Sequence, residues 1–324
     1  MEKIKEIQKG LQLELEAMNA LIAEALDTRN QLMNAVVTQY LEVKGKQLRP
    51  MLVILSAKMF GDASDAVLCA GAALEMLHNA SLIHDDVVDE TDLRRGRTTI
   101  NAYMGNHIAV LVGDYFVSNA LAMGIRSGDL EVVAALSALG KELSLGEIDQ
   151  ITNVREHRFD TESYFTMIRQ KTAALFSHCV RMGAKLGGAT PEELAPLAEY
   201  ADLLGCCFQI KDDVFDYFEN PQIGKPTGND LREGKVTLPL LYALNDAPAE
   251  ESAPYKELLI RGNLNGDEIV SLVEFAKAHG GIERAFQTMR GMQRRAEEII
   301  APYPETESKE AFRTIFDYII SRDR

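Results

Sequence analysis

The chain has 324 residues, 46% of them hydrophobic, four cysteines and a formal charge of −15 at pH 7. Length and apolar content supply a sizeable core and place it among globular proteins. The charge argues against general affinity for nucleic acid or anionic membranes, and no uninterrupted apolar run approaches the roughly 18 to 20 residues that a membrane span needs. The start, MEKIKEIQKG, lacks a signal-peptide core, so a cytoplasmic location is expected. Cys69, Cys179, Cys206 and Cys207 show no paired CxxC spacing and read as reduced core residues, not as a zinc or redox site.

No proline precedes Pro50 and none follows until Pro191, which suits long uninterrupted helices and not a sheet protein rich in tight turns. The chain is therefore read as all-α. Helices are predicted at 2–43, 50–60, 63–90, 106–126, 129–155, 161–187, 191–219, 236–246, 266–302 with a break at Gly280-Gly281, and 307–321. No composition shift or linker divides it, so residues 1–324 are expected to form a single domain, a large helical bundle.

The third predicted helix ends in Asp85-Asp86-Val87-Val88-Asp89, and the seventh in Asp212-Asp213-Val214-Phe215-Asp216. Residues one and four apart share a helix face, so each trio of carboxylates can converge. The two phrases begin 127 residues apart and their helices are expected to oppose each other, like the halves of a pseudo-twofold bundle. Desolvated carboxylates repel unless cations neutralise them; hard Mg²⁺ fits oxygen ligands and leaves positions for phosphate oxygens, which points to a diphosphate substrate. A single acidic phrase is as often a solvated helix face, but two matching copies make that reading weaker.

Stepping back from Asp85 by four and seven residues reaches Ser81 and His78, so His78 should look into the same cavity about 10 Å along the axis. A satisfied core histidine is the plainer alternative. Basic residues gather at Lys44-Gly45-Lys46-Gln47-Leu48-Arg49-Pro50, at Arg94-Arg95-Gly96-Arg97, at Lys171-Thr172, and at Lys211, Lys225 and Lys235. Arg offers forked hydrogen bonds to phosphate and Lys a point charge, so these are candidate diphosphate clamps; Lys211 is as well explained by surface charge. The loop from Asn220 to Asn229, directly after the second phrase, is placed to act as a lid.

These motifs together resemble the all-trans polyprenyl (isoprenyl) diphosphate synthases over essentially the whole chain. The resemblance rests on Gly45-Lys46-Gln47-Leu48-Arg49-Pro50, on His84 to Asp89 followed by Arg94-Arg95-Gly96, on Lys171-Thr172, on Phe208 to Asp216, and on Gly224 to Leu231 with Lys235, in that order. It implies a helical fold around a deep central cavity and Mg²⁺-dependent head-to-tail condensation of isopentenyl diphosphate onto an allylic diphosphate. By matching position, Asp85, Asp89 and Asp212 would be the principal metal ligands, with Asp86, Asp213 and Asp216 completing the shell around three Mg²⁺ ions. Lys46, Arg49, His78 and Arg95 would hold isopentenyl diphosphate. Arg94, Lys171, Thr172, Gln209, Lys225 and Lys235 would hold the allylic diphosphate or stabilise its departure. Many relatives carry GGKRxRP where Lys44 and Gln47 stand here, which makes the geometry of that loop a question for the structure. A homodimer, and transient membrane contact for release of an apolar product, follow from the family alone.

Small residues, Ala80 and Ser81, stand just before the first acidic phrase, where short-product members commonly carry an aromatic block. A long product of about C30 to C45, centred on octaprenyl and suited to a quinone side chain, is expected by resemblance, with Leu136 and Leu139 as candidate tunnel floor. Close helix packing is the alternative reason for Ala80 and Ser81. The rival functions are a short-chain farnesyl or geranylgeranyl synthase, a terpene cyclase or head-to-head synthase, and a subunit of a heteromeric prenyltransferase. A cyclase has no need of Lys46, Arg49 and His78, and non-catalytic subunits characteristically lose acidic ligands that are complete here.

Overall fold

A computed structural model describes residues 2–42, 45–94, 96–218 and 227–322. The stretch expected as one helix over 2–43 is three: α1 (Glu2–Gly10), α2 (Gln12–Leu26) and α3 (Gln31–Leu41). The second break falls where Asn30 restarts the helix, its Oδ1 accepting the Met33 N–H at 3.0 Å. Then follow α4 (Leu48–Lys58) and α5 (Asp65–Val88), a short antiparallel hairpin of β1 (Leu93–Arg94) and β2 (Arg97–Thr98), α6 (Ile100–Met104), α7 (Asn106–Arg126) and α8 (Leu130–Arg155). The predicted helix 161–187 divides into α9 (Thr161–Ile168), a π turn over Arg169–Ala173, and α10 (Ala174–Gly187). After α11 (Pro191–Phe215) come α12 (Asn229–Arg232), α13 (Leu238–Asp246), α14 (Ala249–Arg261), α15 (Gly266–Ala278), α16 (Gly281–Ile300) and α17 (Glu307–Ser321). Helix α14 is absent from the sequence expectation because Pro254 lies inside it, where proline removes an intrahelical donor. The all-α class holds.

The chain gathers into two compact units, one from residues 1–141, 175–198 and 303–314, the other from 142–174, 199–302 and 315–324. Each draws on three separate stretches, so neither corresponds to a continuous fragment of sequence. In the first, α5 is the central helix, with Val67, Ala70, Ala72, Ala73, Leu74 and Met76 buried against the equally buried Met51 to Ile54 of α4 and the apolar face of α2. Glycines let its helices approach closely: a Cβ on Gly71 would meet Met18 Cε at 2.3 Å, and one on Gly183 of α10 would meet the Val53 carbonyl oxygen at 2.1 Å. By length and composition α5 and α7 could each cross a membrane, but much of α5 is core. In the second unit, α13 packs against α16, with Leu238, Leu240 and Leu241 of the one and Ala285 and Met289 of the other buried, and buried Cys207 of α11 lies 3.7 Å from the Met289 carbonyl.

Candidate active site

The first acidic phrase closes α5, with Asp89 as its C-cap. Asp85 is half-buried and Asp89 exposed, one turn apart on the same side, whereas Asp86 turns inward and is buried. Asp86 Oδ1 accepts from Arg94 Nε at 2.7 Å. Burial raises the Asp86 carboxyl above its ordinary range even though the Arg94 guanidinium draws it down. The hairpin brings Arg94 back to α5, helped by Gly96 at φ 75°, and Asn101 ties the helix end by donating to the Asp86 carbonyl at 3.0 Å and the Thr91 carbonyl at 3.1 Å. On the other flank the His84 ring fills the space left by Gly113 of α7, where a Cβ would sit 2.2 Å from Nε2. One turn upstream, Ala80 and His78 are buried, and the Ser81 hydroxyl donates back to the His78 carbonyl at 2.9 Å.

Lys46 and Arg49 flank the start of α4. Gln47 is its N-cap in the left-handed region, φ 50°, a conformation glycine adopts at less cost. Two side-chain bonds hold it there: Gln47 Nε2 donates to Asn19 Oδ1 at 3.0 Å, and Gln8 Nε2 donates to the Lys46 carbonyl at 2.8 Å. The departure from the family pattern at Gln47 is thus absorbed by contacts to α1 and α2, leaving Lys46 exposed and the Arg49 guanidinium 4.9 Å over the Phe176 ring.

The second phrase closes α11, and its three carboxylates have different surroundings. Asp212 Oδ1 accepts from Arg322 Nη2 at 2.7 Å; that guanidinium also donates to the Phe208 carbonyl at 3.1 Å and lies over the Phe208 and Phe215 rings at 4.3 and 5.5 Å. Asp216 caps α12, its two oxygens accepting the N–H groups of Asn229 and Asp230, each at 3.0 Å. Asp213 is buried, with Oδ2 accepting the Tyr164 hydroxyl at 2.5 Å and Oδ1 accepting Gln209 Nε2 at 2.8 Å. Burial pushes its carboxyl up to about 7, with Asp212 and Asp216 adding to the effect against the hydrogen bonds from Tyr164 and Gln209. Asp230 is raised for the same reason, burial first and then Asp213 and Asp216.

A cleft of about 190 Å³ in the second unit is lined by Tyr164, Lys171, Gln209, Asp213, Asp230 and Lys235 among others. The π turn presents Lys171 there, with Thr172 buried beside Gln209. Lys171 Nζ donates to Gln150 Oε1 at 3.1 Å and pairs with Glu147, while the Thr172 hydroxyl donates to Gln209 Oε1 at 2.7 Å. The turn rests on Gly146 of α8, since a Cβ there would meet the Lys171 amide nitrogen at 2.6 Å. Lys235 pairs with Glu233 at 2.7 Å.

Of the residues expected at the site, Lys171, Thr172, Gln209, Asp213 and Lys235 come together in this cleft or on its wall, and Asp86 with Arg94 forms a second cluster in the first unit. Arg95, Lys225, Lys44 and most of the expected lid lie outside the described residues. Lys211 is buried and sits between the Phe215 and Phe286 rings, 5.0 and 4.7 Å away, which overturns the reading of a surface charge. Sequence reasoning missed Glu147, Gln150, Tyr164, Asp230 and Arg322. Only Tyr164 had a local signal, lying seven residues, or two helical turns, before Lys171. Among the described residues no three His, Cys, Asp or Glu side chains enclose a metal by themselves. The donors fit instead an oxygen-seeking divalent ion that takes one or two carboxylates and fills its remaining positions with water and substrate phosphate, as Mg²⁺ does.

Residues 30–275 match the Polyprenyl synthetase family model. The chain is 35% identical over 326 aligned residues to the octaprenyl diphosphate synthase of Escherichia coli (strain K12), covering 100% of this chain and 99% of that one. A decaprenyl diphosphate synthase structure from Rhodobacter capsulatus superposes with a TM-score of 0.92 at 32% identity over 99% of both chains. A geranylgeranyl pyrophosphate synthase structure from Bacteroides thetaiotaomicron does so at 0.85 and 38% identity, over 99% of this chain and 100% of that one. With both acidic phrases and the Lys171-Thr172 turn in place, the chain belongs to the polyprenyl synthetase family, prenyltransferases that use isoprenoid diphosphates and generally depend on a divalent metal.

Proposed function

We propose that the protein is a long-chain all-trans polyprenyl diphosphate synthase, adding isopentenyl diphosphate head-to-tail to an allylic diphosphate until the product reaches about C30 to C45. The observation that carries the product class is full-length similarity to an octaprenyl diphosphate synthase, together with Ala80 and Ser81 one turn before the first acidic phrase. In this reading Asp85, Asp89 and Asp212 hold the metal, while Asp86, Asp213 and Asp216 act through Arg94, Tyr164 with Gln209, and the α12 N-terminus. Mg²⁺, when bound, neutralises the charge that grows on the allylic diphosphate as its carbon–oxygen bond breaks.

Lys171, Thr172, Gln209 and Lys235 hold that diphosphate and stabilise its departure, a preorganised electrostatic contribution. Lys46, Arg49 and His78 orient isopentenyl diphosphate so that its double bond attacks the allylic cation, and the departing diphosphate takes the proton then lost. No side-chain nucleophile is needed, but water must be excluded because it would capture the cation. Arg95 and Lys225, outside the described residues, take the places that the resemblance gives them. Ala80 and Ser81 leave the tail room to grow, with Leu136 and Leu139, both buried, as the tunnel floor.

Incubation with Mg²⁺, labelled isopentenyl diphosphate and primers of increasing length is expected to yield C30 to C45 products, and Ala80→Phe is expected to shorten them without stopping the first condensation. No elongation would overturn the reading. A C20 product would instead select the short-chain alternative, which the geranylgeranyl synthase likeness favours. We also infer a homodimer: Val110, Leu111, Leu121 and Ile125 leave an apolar stripe exposed along α7, a surface that soluble proteins cover by association. Sedimentation at twice the chain mass is expected, and monomeric sedimentation at assay concentration would contradict it.

A further inference from the structure

The two oxygens of Asp213 are shared between two donors, the Tyr164 hydroxyl at 2.5 Å and Gln209 Nε2 at 2.8 Å. The Gln209 amide is thereby oriented, and its Oε1 accepts the Thr172 hydroxyl at 2.7 Å. This chain of bonds has one consistent direction, because both Asp213 oxygens accept and the amide has one oxygen and one nitrogen to offer. It links three elements, α9, the π turn and α11, inside the second unit. Tyr164 stands in the first turn of α9, which Asp160 starts by accepting the Ser163 N–H at 2.8 Å. The Tyr164 side chain is itself buried and stands edge-on to Phe165, with ring centroids 5.5 Å apart.

We propose that Tyr164 is a positioning residue for prenyl transfer: it holds Asp213 inward, and through Asp213 and Gln209 it sets Thr172 and Lys171 in the π turn. The inference rests on the prenyl-transfer reading above. With both Asp213 oxygens committed to internal donors, metal binding at this phrase falls to Asp212. Loss of the phenol hydroxyl takes away the donor that Asp213 Oδ2 accepts from, and the side chain is no longer held in its inward position. Gln209 then has no fixed partner, and the Thr172 hydroxyl loses its acceptor.

The test is a double-mutant cycle. Tyr164→Phe removes only the hydroxyl and is expected to lower kcat about tenfold while KM for isopentenyl diphosphate stays within about twofold, because that substrate's residues lie elsewhere. Mn²⁺ binding in the presence of inorganic diphosphate, followed by the electron paramagnetic resonance of free Mn²⁺, is expected to weaken by about threefold or more. Thr172→Val added to Tyr164→Phe should cost little beyond the larger single loss, since both break one chain. Losses that multiply would overturn the proposal, as would unchanged Mn²⁺ affinity, or a Tyr164→Phe protein that is less stable yet turns over normally when folded. Should Tyr164→Phe fail to fold, Gln209→Met breaks the chain at its middle and takes its place in the cycle. Failure of the wider reading is distinct: the native chain would then make no condensation product at all.

Discussion

Asp213 sits where its charge is least welcome, buried beside two acidic neighbours, and its carboxyl is raised to about 7. An acid whose folded value lies above its unfolded value keeps its proton in the folded state while the unfolded chain has already released it. Between about pH 4 and pH 7, therefore, unfolding releases a proton and rising pH favours the unfolded chain. In protein freed of divalent metal, the melting temperature is expected to fall across that window and to level off above it. Asp213→Asn should flatten the fall; an identical profile in the variant would show that other groups set it. Asp230, raised by the same burial and by Asp213 itself, titrates with it and broadens the transition. The pairing of the two was not legible in the sequence, since they stand 17 positions apart (230 − 213). The aspartate-rich phrases themselves were legible, because helical spacing alone puts their carboxylates on neighbouring faces.

At the level of the helix, what fixes the first phrase is the close approach of α5 and α7 at Gly113, into which the His84 ring fits. Gly113→Ala would place a methyl group 2.2 Å from His84 Nε2, so the ring must turn away and the last turn of α5 loses the contact that seats it on α7. The expected result is a loss of about 1 to 3 kcal/mol in stability and a larger fall in kcat than in melting temperature would suggest, checked by denaturant unfolding and product assay. Full activity would show that α5 tolerates the loss. Helix existence was read well from apolar periodicity, and α7, α8, α15 and α16 lie close to where periodicity put them. The misses have local causes. The expected helix 2–43 ignored the Asn30 cap, α14 was hidden by Pro254, and nothing in the sequence marks a π turn, which depends on the fit of Lys171 against Gly146.

Across the whole chain, each compact unit is assembled from three distant stretches, and the last stretch of the second carries the end of α17, from Ile315, and Arg322. Such long-range assembly leaves no periodic trace, which is why the sequence disclosed the second acidic phrase but not the arginine that meets it. Arg322 directly follows α17, yet its side chain is only 7% exposed, held by Asp212, the Phe208 carbonyl and two aromatic rings. Arg322 is therefore a component of the second phrase's chemistry. Arg322→Ala would leave the helices intact while removing a guanidinium from Asp212. Turnover of Arg322→Ala is expected to fall roughly tenfold, with circular dichroism unchanged. Turnover that survives removal of Arg322 would show its ion pair to be dispensable. The same geometry bears on where the chain can be modified: a bulky group coupled at position 322 would displace the guanidinium and have to be accommodated beside the second acidic phrase.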